Sequence, residues 1–280
     1  MRKTTSKWGW LFTGPTVLAF LIGFVVPFVF GIYLSFTRFH VVTSAKWVGF
    51  SNYAKILEDD YFLHSLWYTT AFAVITTIAI NVIAFAIAYL LTKAIKGRDL
   101  FRSVFFMPNL IGGIVLGYVW LLLLNGVLAW WQRSITYSET YGFWGMVMLL
   151  SWQQIGYMMV IYIAGLQSIP EDVIEAARVD GASNAKILWR ITIPLVMPAI
   201  TVCTFLTLTN GFKMFDQNLA LTNGAPNRLS ELLALNIYNT AYGRTNFEGV
   251  GQAEAVVFMI IVSAIAFVQN RYTRLRETVA

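Results

Sequence analysis

The chain has 280 residues, 58% hydrophobic and 12% charged, with a formal net charge of +6. Soluble domains carry about 25% charged residues, so this composition excludes an ordinary globular domain and indicates an integral membrane protein. The single cysteine, Cys203, excludes an internal disulfide, and two histidines, His40 and His64, are too few for a metal site.

A helix needs about 20 apolar residues to cross the hydrocarbon core. Stretches free of Lys, Arg, Asp, Glu and His run over 9–37, 65–92, 103–132, 140–170, 191–212 and 255–270, the last reaching back to 249 if Glu254 is tolerated. They predict an all-α membrane protein of six transmembrane helices, because an isolated spanning segment must satisfy its own backbone. The first run follows Arg2, Lys3 and Lys7 but is too long for a signal peptide and lacks a small-x-small cleavage site, so it reads as an uncleaved span, kinked near Pro15 and Pro27. A short amphipathic surface helix is expected within 40–64. With the N-terminus inside, thirteen Lys and Arg fall in the inner segments and six in the outer ones, which predicts N-in and C-in. No basic cluster interleaves with exposed aromatics, so the positive charge reports orientation and not a nucleic acid partner. The chain reads as one domain over 1–280, with external loops at about 38–64, 133–142 and 217–248.

One inner segment, 168–193, is longer than a connection requires. Ser168 and Glu171 have the spacing of a capping box, with Pro170 in the first turn, which predicts a helix over 169–180. Gly181 suits a left-handed C-cap, and Ser183 an N-cap for a second helix entering the fifth span near Pro194. Val173, Ala176, Ala177 and Asp180 follow i, i+3, i+4, i+7 and are expected to share a face, with the two alanines permitting close approach. The residues alone are compatible with a well-capped loop or with a docking surface outside the membrane.

Glu175-Ala176-Ala177, Gly181 after three residues, and Ile191-x-Ile193-Pro194 after nine more resemble the EAA loop of ABC importer permeases, with Ile193 at a position usually held by Leu. Gly49-Phe50-Ser51-Asn52-Tyr53 and Leu221-Thr222-Asn223-Gly224-Ala225-Pro226 resemble passages of the maltose and glycerol-phosphate branch, which more often has two glycines before that proline. The resemblance implies a type I importer permease in the cell membrane. Glu175 and Asp180 would be polar contacts, Ala176 and Ala177 would permit docking and Gly181 would make the turn, on a coupling helix seated in a cytoplasmic ATPase. It implies three partners: a dimer of ABC ATPases, a homologous second permease forming a heterodimer, and an extracellular or lipid-anchored solute-binding protein. No Gly-x-x-x-x-Gly-Lys-Ser/Thr stretch occurs, so ATP and Mg are expected on the partner and no catalysis on this chain.

Polar residues inside spans are costly and usually face an interior or a water-filled path. Trp152, Gln153, Gln154, Tyr157, Asn210, Lys213, Asp216, Gln217 and Glu254 are candidates to line a carbohydrate path, since sugars take hydrogen bonds on hydroxyls and aromatic faces on C–H surfaces; Asn81 is a further intramembrane polar residue. Helix-to-helix hydrogen bonding, or Lys213 pairing with Asp216 one turn on, accounts for the same residues. An ion-coupled secondary transporter of small polar solutes is the alternative, with Glu254 as its buried carboxylate. A membrane enzyme lacks a nucleophile–base cluster.

Overall fold

The structure, a computed structural model, describes residues 4–93 and 96–277, except for the side chains of residues 4–9, 270 and 272–277. Arg2 and Lys3, and the side chains of Lys7, Trp8, Arg274 and Arg276, therefore lie outside the described residues. In chain order, α1 (Thr4–Phe20) passes through a π-turn (Leu21–Val25) into α2 (Val26–Ser35), and β1 (Thr37–Arg38) pairs antiparallel with β2 (Lys46–Trp47). Then come α3 (Ser51–Glu58), α4 (Asp60–Leu91), α5 (Arg98–Phe106), a 3-10 turn (Met107–Leu110), α6 (Gly113–Leu128) and a 3-10 turn (Ala129–Trp131). They are followed by α7 (Glu139–Gln167), α8 (Glu171–Val179), α9 (Asn184–Ile187), a π-turn (Leu188–Thr192), α10 (Ile193–Leu195) and α11 (Met197–Lys213). The last are α12 (Asp216–Leu221), α13 (Leu233–Gly243) and α14 (Glu248–Glu277).

Among the described residues five helical stretches are long and apolar enough to cross a membrane: Trp10–Ser35, Asp60–Leu91, Gly113–Trp131, Glu139–Gln167 and Glu248–Gln269. The sixth is broken, with Asn184–Leu195 and Met197–Lys213 meeting at 69°. Pro194 and Pro198 bracket the break; neither has an N–H to continue the ladder, and a π-turn takes up the register just before Pro194. The apolar run 103–132 is likewise not one helix, because Pro108 closes α5 in a 3-10 turn and Gly112 caps α6 in extended geometry. Helix starts fall earlier than a charge-free run suggests. Asp59 Oδ1 accepts from the Tyr61 N–H at 2.9 Å, starting α4 ahead of the apolar run, and Ser138 caps α7 in the same way.

The backbone contacts divide the chain into two compact units, residues 1–62 with 237–260, and 63–236 with 261–280. In the first, α3 is the surface helix expected from the sequence. Asn52 Nδ2 donates to the carbonyls of Ser35 and Thr37, each at 2.8 Å, and the Tyr53 hydroxyl lies 2.7 Å from Ser35 Oγ. These bonds satisfy carbonyls left open where α2 ends. Gly249 packs on the same Thr37 carbonyl, leaving no room for a Cβ, and Arg244 pairs with Asp59 at 2.7 Å.

In the second unit the core gathers on α7, whose Met146, Leu149, Leu150, Met158, Met159 and Tyr162 are buried, with Phe72 and Ile80 of α4 and Cys203 of α11. Cys203 is a buried packing residue. Small residues set the helix spacings. A Cβ on Gly117 of α6 would lie 2.6 Å from the Ala220 Cβ of α12, one on Gly165 of α7 would lie 2.7 Å from that of Ala199, and Gly156 of α7 abuts the Phe105 carbonyl. Gly156→Val is expected to cost about 3 kcal/mol through overpacking. Thermal unfolding of the detergent-solubilised protein, followed by tryptophan fluorescence, should show the loss, while Val160→Ala at an exposed α7 position should leave the transition within about 0.5 kcal/mol.

Candidate functional site

The segment 168–193 folds around two caps. Ser168 does not form the expected capping box: its hydroxyl donates back to the Gly165 carbonyl at 2.7 Å, closing α7, and Pro170 in extended geometry is the N-cap of α8. The proline fixes φ and needs no donor, so the helix starts without a side-chain cap. The far end matches the expectation. Gly181 has φ +76°, its N–H bonds the Arg178 carbonyl at 3.0 Å, and the Ala182 N–H bonds the Ala177 carbonyl at 2.9 Å. This is a Schellman motif. Ser183 Oγ then accepts from the Lys186 N–H at 3.3 Å and caps α9.

The face predicted to hold both alanines is divided. Val173, Ala176, Val179 and Asp180 are exposed, Val179 at 87%, whereas Ala177 is buried at 8%. Glu171, Ile174, Glu175 and Arg178 line a cleft of about 610 Å³ with Tyr89, Lys93, Arg98 and Asn184, so Glu175 looks along the near side of the helix and not outward with Ala176. The 100° step per residue separates the two alanines into outward and inward roles. Trp189, just after α9, is 70% exposed.

The intramembrane polar residues separate into four groups. Gln153 Oε1 accepts from Gln217 Nε2 at 2.9 Å, Gln153 Nε2 donates to the Ile111 carbonyl at 3.2 Å, and Asn210 Nδ2 donates to Gln154 Oε1 at 3.3 Å. These bonds join α7 to α11 and α12. Lys213 and Asp216 are exposed beside them, but α11 ends at Lys213 and α12 begins at Asp216, so they are not one turn apart on a continuous helix. Asn81 is satisfied within the core, donating to the Thr77 carbonyl and Thr207 Oγ1 and accepting from the Tyr162 hydroxyl at 2.6 Å. Trp152 lies on another side of α7, edge-on to Trp120 at 5.8 Å, and Tyr157 packs against Phe106. Glu254, in the first unit, is fully buried.

A polar cluster surrounds the passage 221–226 after α12 and draws in Asn218, Arg228 and Glu231, which the sequence does not single out. Asn218, fully buried, donates to Thr222 Oγ1 and the Ser230 carbonyl, both at 2.9 Å, and accepts from the Leu232 N–H at 2.9 Å. Glu231, 2% exposed, takes a bidentate pair from Arg228 at 2.8–3.0 Å. Asn223, Gly224, Asn227 and Arg228 hold positive φ. The Asn-Gly pair at 223–224 and the Asn at 227 are the turn signals that mark it.

Residues 95–276 match the family described as the binding-protein-dependent transport system inner membrane component. The chain belongs to this family. Over 279 residues it is 41% identical to the probable starch degradation products transport system permease protein AmyD of Thermoanaerobacterium thermosulfurigenes, covering 96% of this chain and 95% of that one. The multiple sugar-binding transport system permease protein MsmF of Streptococcus mutans serotype c is 28% identical, with 98% of each chain covered. Among solved structures, a bacterial ABC transporter involved in import of the acidic polysaccharide alginate superposes with a TM-score of 0.81 at 19% identity, covering 97% of both chains. The MetNI methionine ABC transporter reaches 0.59 at 19% identity, covering 77% of this chain and 95% of its own. These likenesses establish the type I importer permease fold, and with the family they make the permease a multi-pass membrane protein.

Two outcomes follow from the geometry. Arg228→Ala removes the counter-charge from the buried Glu231 carboxylate, which keeps the Asn236 amide as a donor, and thermal unfolding should show a loss of about 3 kcal/mol. Asn81→Leu should destabilise by about 1–2 kcal/mol in the same assay and leave the KM for transport unchanged.

Proposed function

We propose that this permease is the membrane-spanning subunit of an ATP-driven importer for a carbohydrate, coupled to a separate ATPase through α8 and the Gly181 turn. The observation that carries the coupling role is the outward face of α8. Val173, Ala176 and Val179 are apolar and exposed on a helix terminated by a Schellman turn, a surface suited to a groove on another protein. Ala176 allows close approach, Asp180 and Gly181 form the tip, Ala177 seats the helix on its own chain, and Glu175 reads the cleft behind it. The carbohydrate assignment is supported by relatives named for starch degradation products, multiple sugars and arabinooligosaccharides. It fits the amide-rich set Gln153, Gln154, Asn210 and Gln217 with Lys213 and Asp216 beside it, which we assign to the sugar path.

The termini lie inside, and the loop after α12 faces the solute-binding protein. A second, homologous permease completes the path and an ATPase dimer beneath the pair holds ATP and Mg, so this chain itself catalyses no reaction. With the ATPases and binding protein reconstituted in liposomes, Ala176→Trp or Gly181→Val should reduce binding-protein-stimulated ATP hydrolysis and sugar uptake at least tenfold; in Gly181→Val the φ above zero costs about 1–2 kcal/mol. Unchanged stimulation in both variants would overturn the coupling role. Asn210→Ala should raise the uptake KM several-fold with stimulated hydrolysis retained, read from initial uptake rates; an unaltered KM would remove Asn210 from the path.

A further inference from the structure

The cleft of about 610 Å³ behind α8 is lined by five charged side chains, all within the second unit. α8 supplies Glu171, Glu175 and Arg178, which share a face with Ile174 at i, i+4, i+7 and i+3. Lys93, two residues past the end of α4, and Arg98, the first residue of α5, supply two more cations. Among the described residues Glu171, Glu175 and Arg178 form no ion pair. Arg98 meets Asp99, whose side chain is 82% exposed and whose Oδ1 stays 3.9 Å from Arg98 Nε, beyond hydrogen-bond range.

Three of the five charges have a local reason. Glu171 stands in the first turn of α8 and Arg178 in the last, where each sign complements the helix dipole. Lys93 Nζ rests 4.9 Å from the centre of the Tyr89 ring. Glu175 and Arg98 have no such reason. Glu175 is in mid-helix, four residues from Glu171, a like-charge spacing that is unfavourable. Arg98 opens α5, the end of a helix at which a cation opposes the dipole. Gly97 before it, at φ +80°, brings no side-chain cap to offset that charge. The two misplaced charges are opposite in sign and line the same cleft.

We propose that Glu175 and Arg98 pair when this cleft narrows during transport, so that α8 pulls on α5 as well as on the fifth span. The proposal rests on the reading of α8 as the coupling helix. Within α8 Ala177 is the buried residue, so the helix can tilt about that contact without opening a core. α5 then carries the movement inward. It abuts Gly156 of α7 at the Phe105 carbonyl and continues through the Pro108 turn to Ile111, whose carbonyl accepts from Gln153 Nε2 at 3.2 Å. Arg98 is therefore a positioning residue for the amide set and does not touch the sugar.

The test uses the complete transporter in liposomes with its ATPases and binding protein. Glu175→Cys with Arg98→Cys is treated with a bifunctional thiosulfonate, because an Arg–Glu pair holds two backbones farther apart than a disulfide spans. Cys203 is buried and does not compete. The cross-linking rate should differ several-fold between the nucleotide-free and the vanadate-trapped states. Arg98→Glu and Glu175→Arg should each lower binding-protein-stimulated hydrolysis about fivefold, the upper range for one exposed ion pair, while the two together restore most of it and Arg98→Lys retains it. If a reversed charge blocks assembly, the cross-link carries the test. Equal cross-linking rates in the two states, or a double reversal as impaired as the single ones, overturns the pair. Ala176→Trp separates the two readings. Stimulation lost there but not rescued by the double reversal removes the pair alone; stimulation retained there and in Gly181→Val removes the coupling role and the pair with it.

Discussion

Close approach between helices, permitted by small residues, is the constraint on which the rest of this permease depends. In lipid the apolar faces gain little from leaving solvent, so helices associate through packing and hydrogen bonds. Gly156 brings α7 onto the backbone of α5 at the Phe105 carbonyl, Gly117 lets α12 settle on α6 through Ala220, Gly165 of α7 admits Ala199 of α11, and Gly211 of α11 admits Ala73 of α4. Polar bonds then reach across at the spacing these contacts allow. Asn81 can bridge Tyr162 and Thr207, and Gln153 can reach both Gln217 and the Ile111 carbonyl, only because the helices are already near.

Broken helices do the complementary work. The third apolar run divides at Pro108 and the fifth bends by 69° between Pro194 and Pro198. Backbone irregularity at membrane depth is tolerated where protein groups satisfy it: Gln153 donates to the Ile111 carbonyl beside the first break, and the Thr201 hydroxyl to the Met197 carbonyl at the second. The bend also starts the fifth span from α9, which the Gly181 turn connects to α8. Motion of α8 therefore has a short mechanical route into the span that carries Asn210 and Lys213. That arrangement suits a transporter whose energy arrives from a separate polypeptide.

In the first unit the motif Gly49-Phe50-Ser51-Asn52-Tyr53 has a local explanation. Asn52 closes the open carbonyls of α2, Tyr53 meets Ser35, and the Thr37 carbonyl is covered by Gly249 at the start of α14. Arg228 with Glu231, and Asn218 beneath them, give the loop after α12 a comparable internal frame in the second unit. Both passages that resembled the carbohydrate branch are thus structural devices as well as markers of family.

By itself the sequence determined the class, the six apolar runs, the Gly181 turn and the Ser183 cap, because these follow from composition and from backbone preferences of single residues. It placed the start of the second span late, at 65 where α4 begins at Asp60, since a capped helix continues past the edge of a charge-free run. It grouped Ala176 with Ala177 because i, i+3, i+4 spacing describes one side of a helix without saying which edge the protein covers. Only the tertiary structure decided that Ala177 packs inward, that Glu175 lines a cleft, that Asn81 is a core bridge and that Trp152 faces a groove away from the amides. Those outcomes depend on which neighbours lie within a few ångströms, and the relevant partners are separated by up to 126 positions along the chain, as Asn81 and Thr207 are.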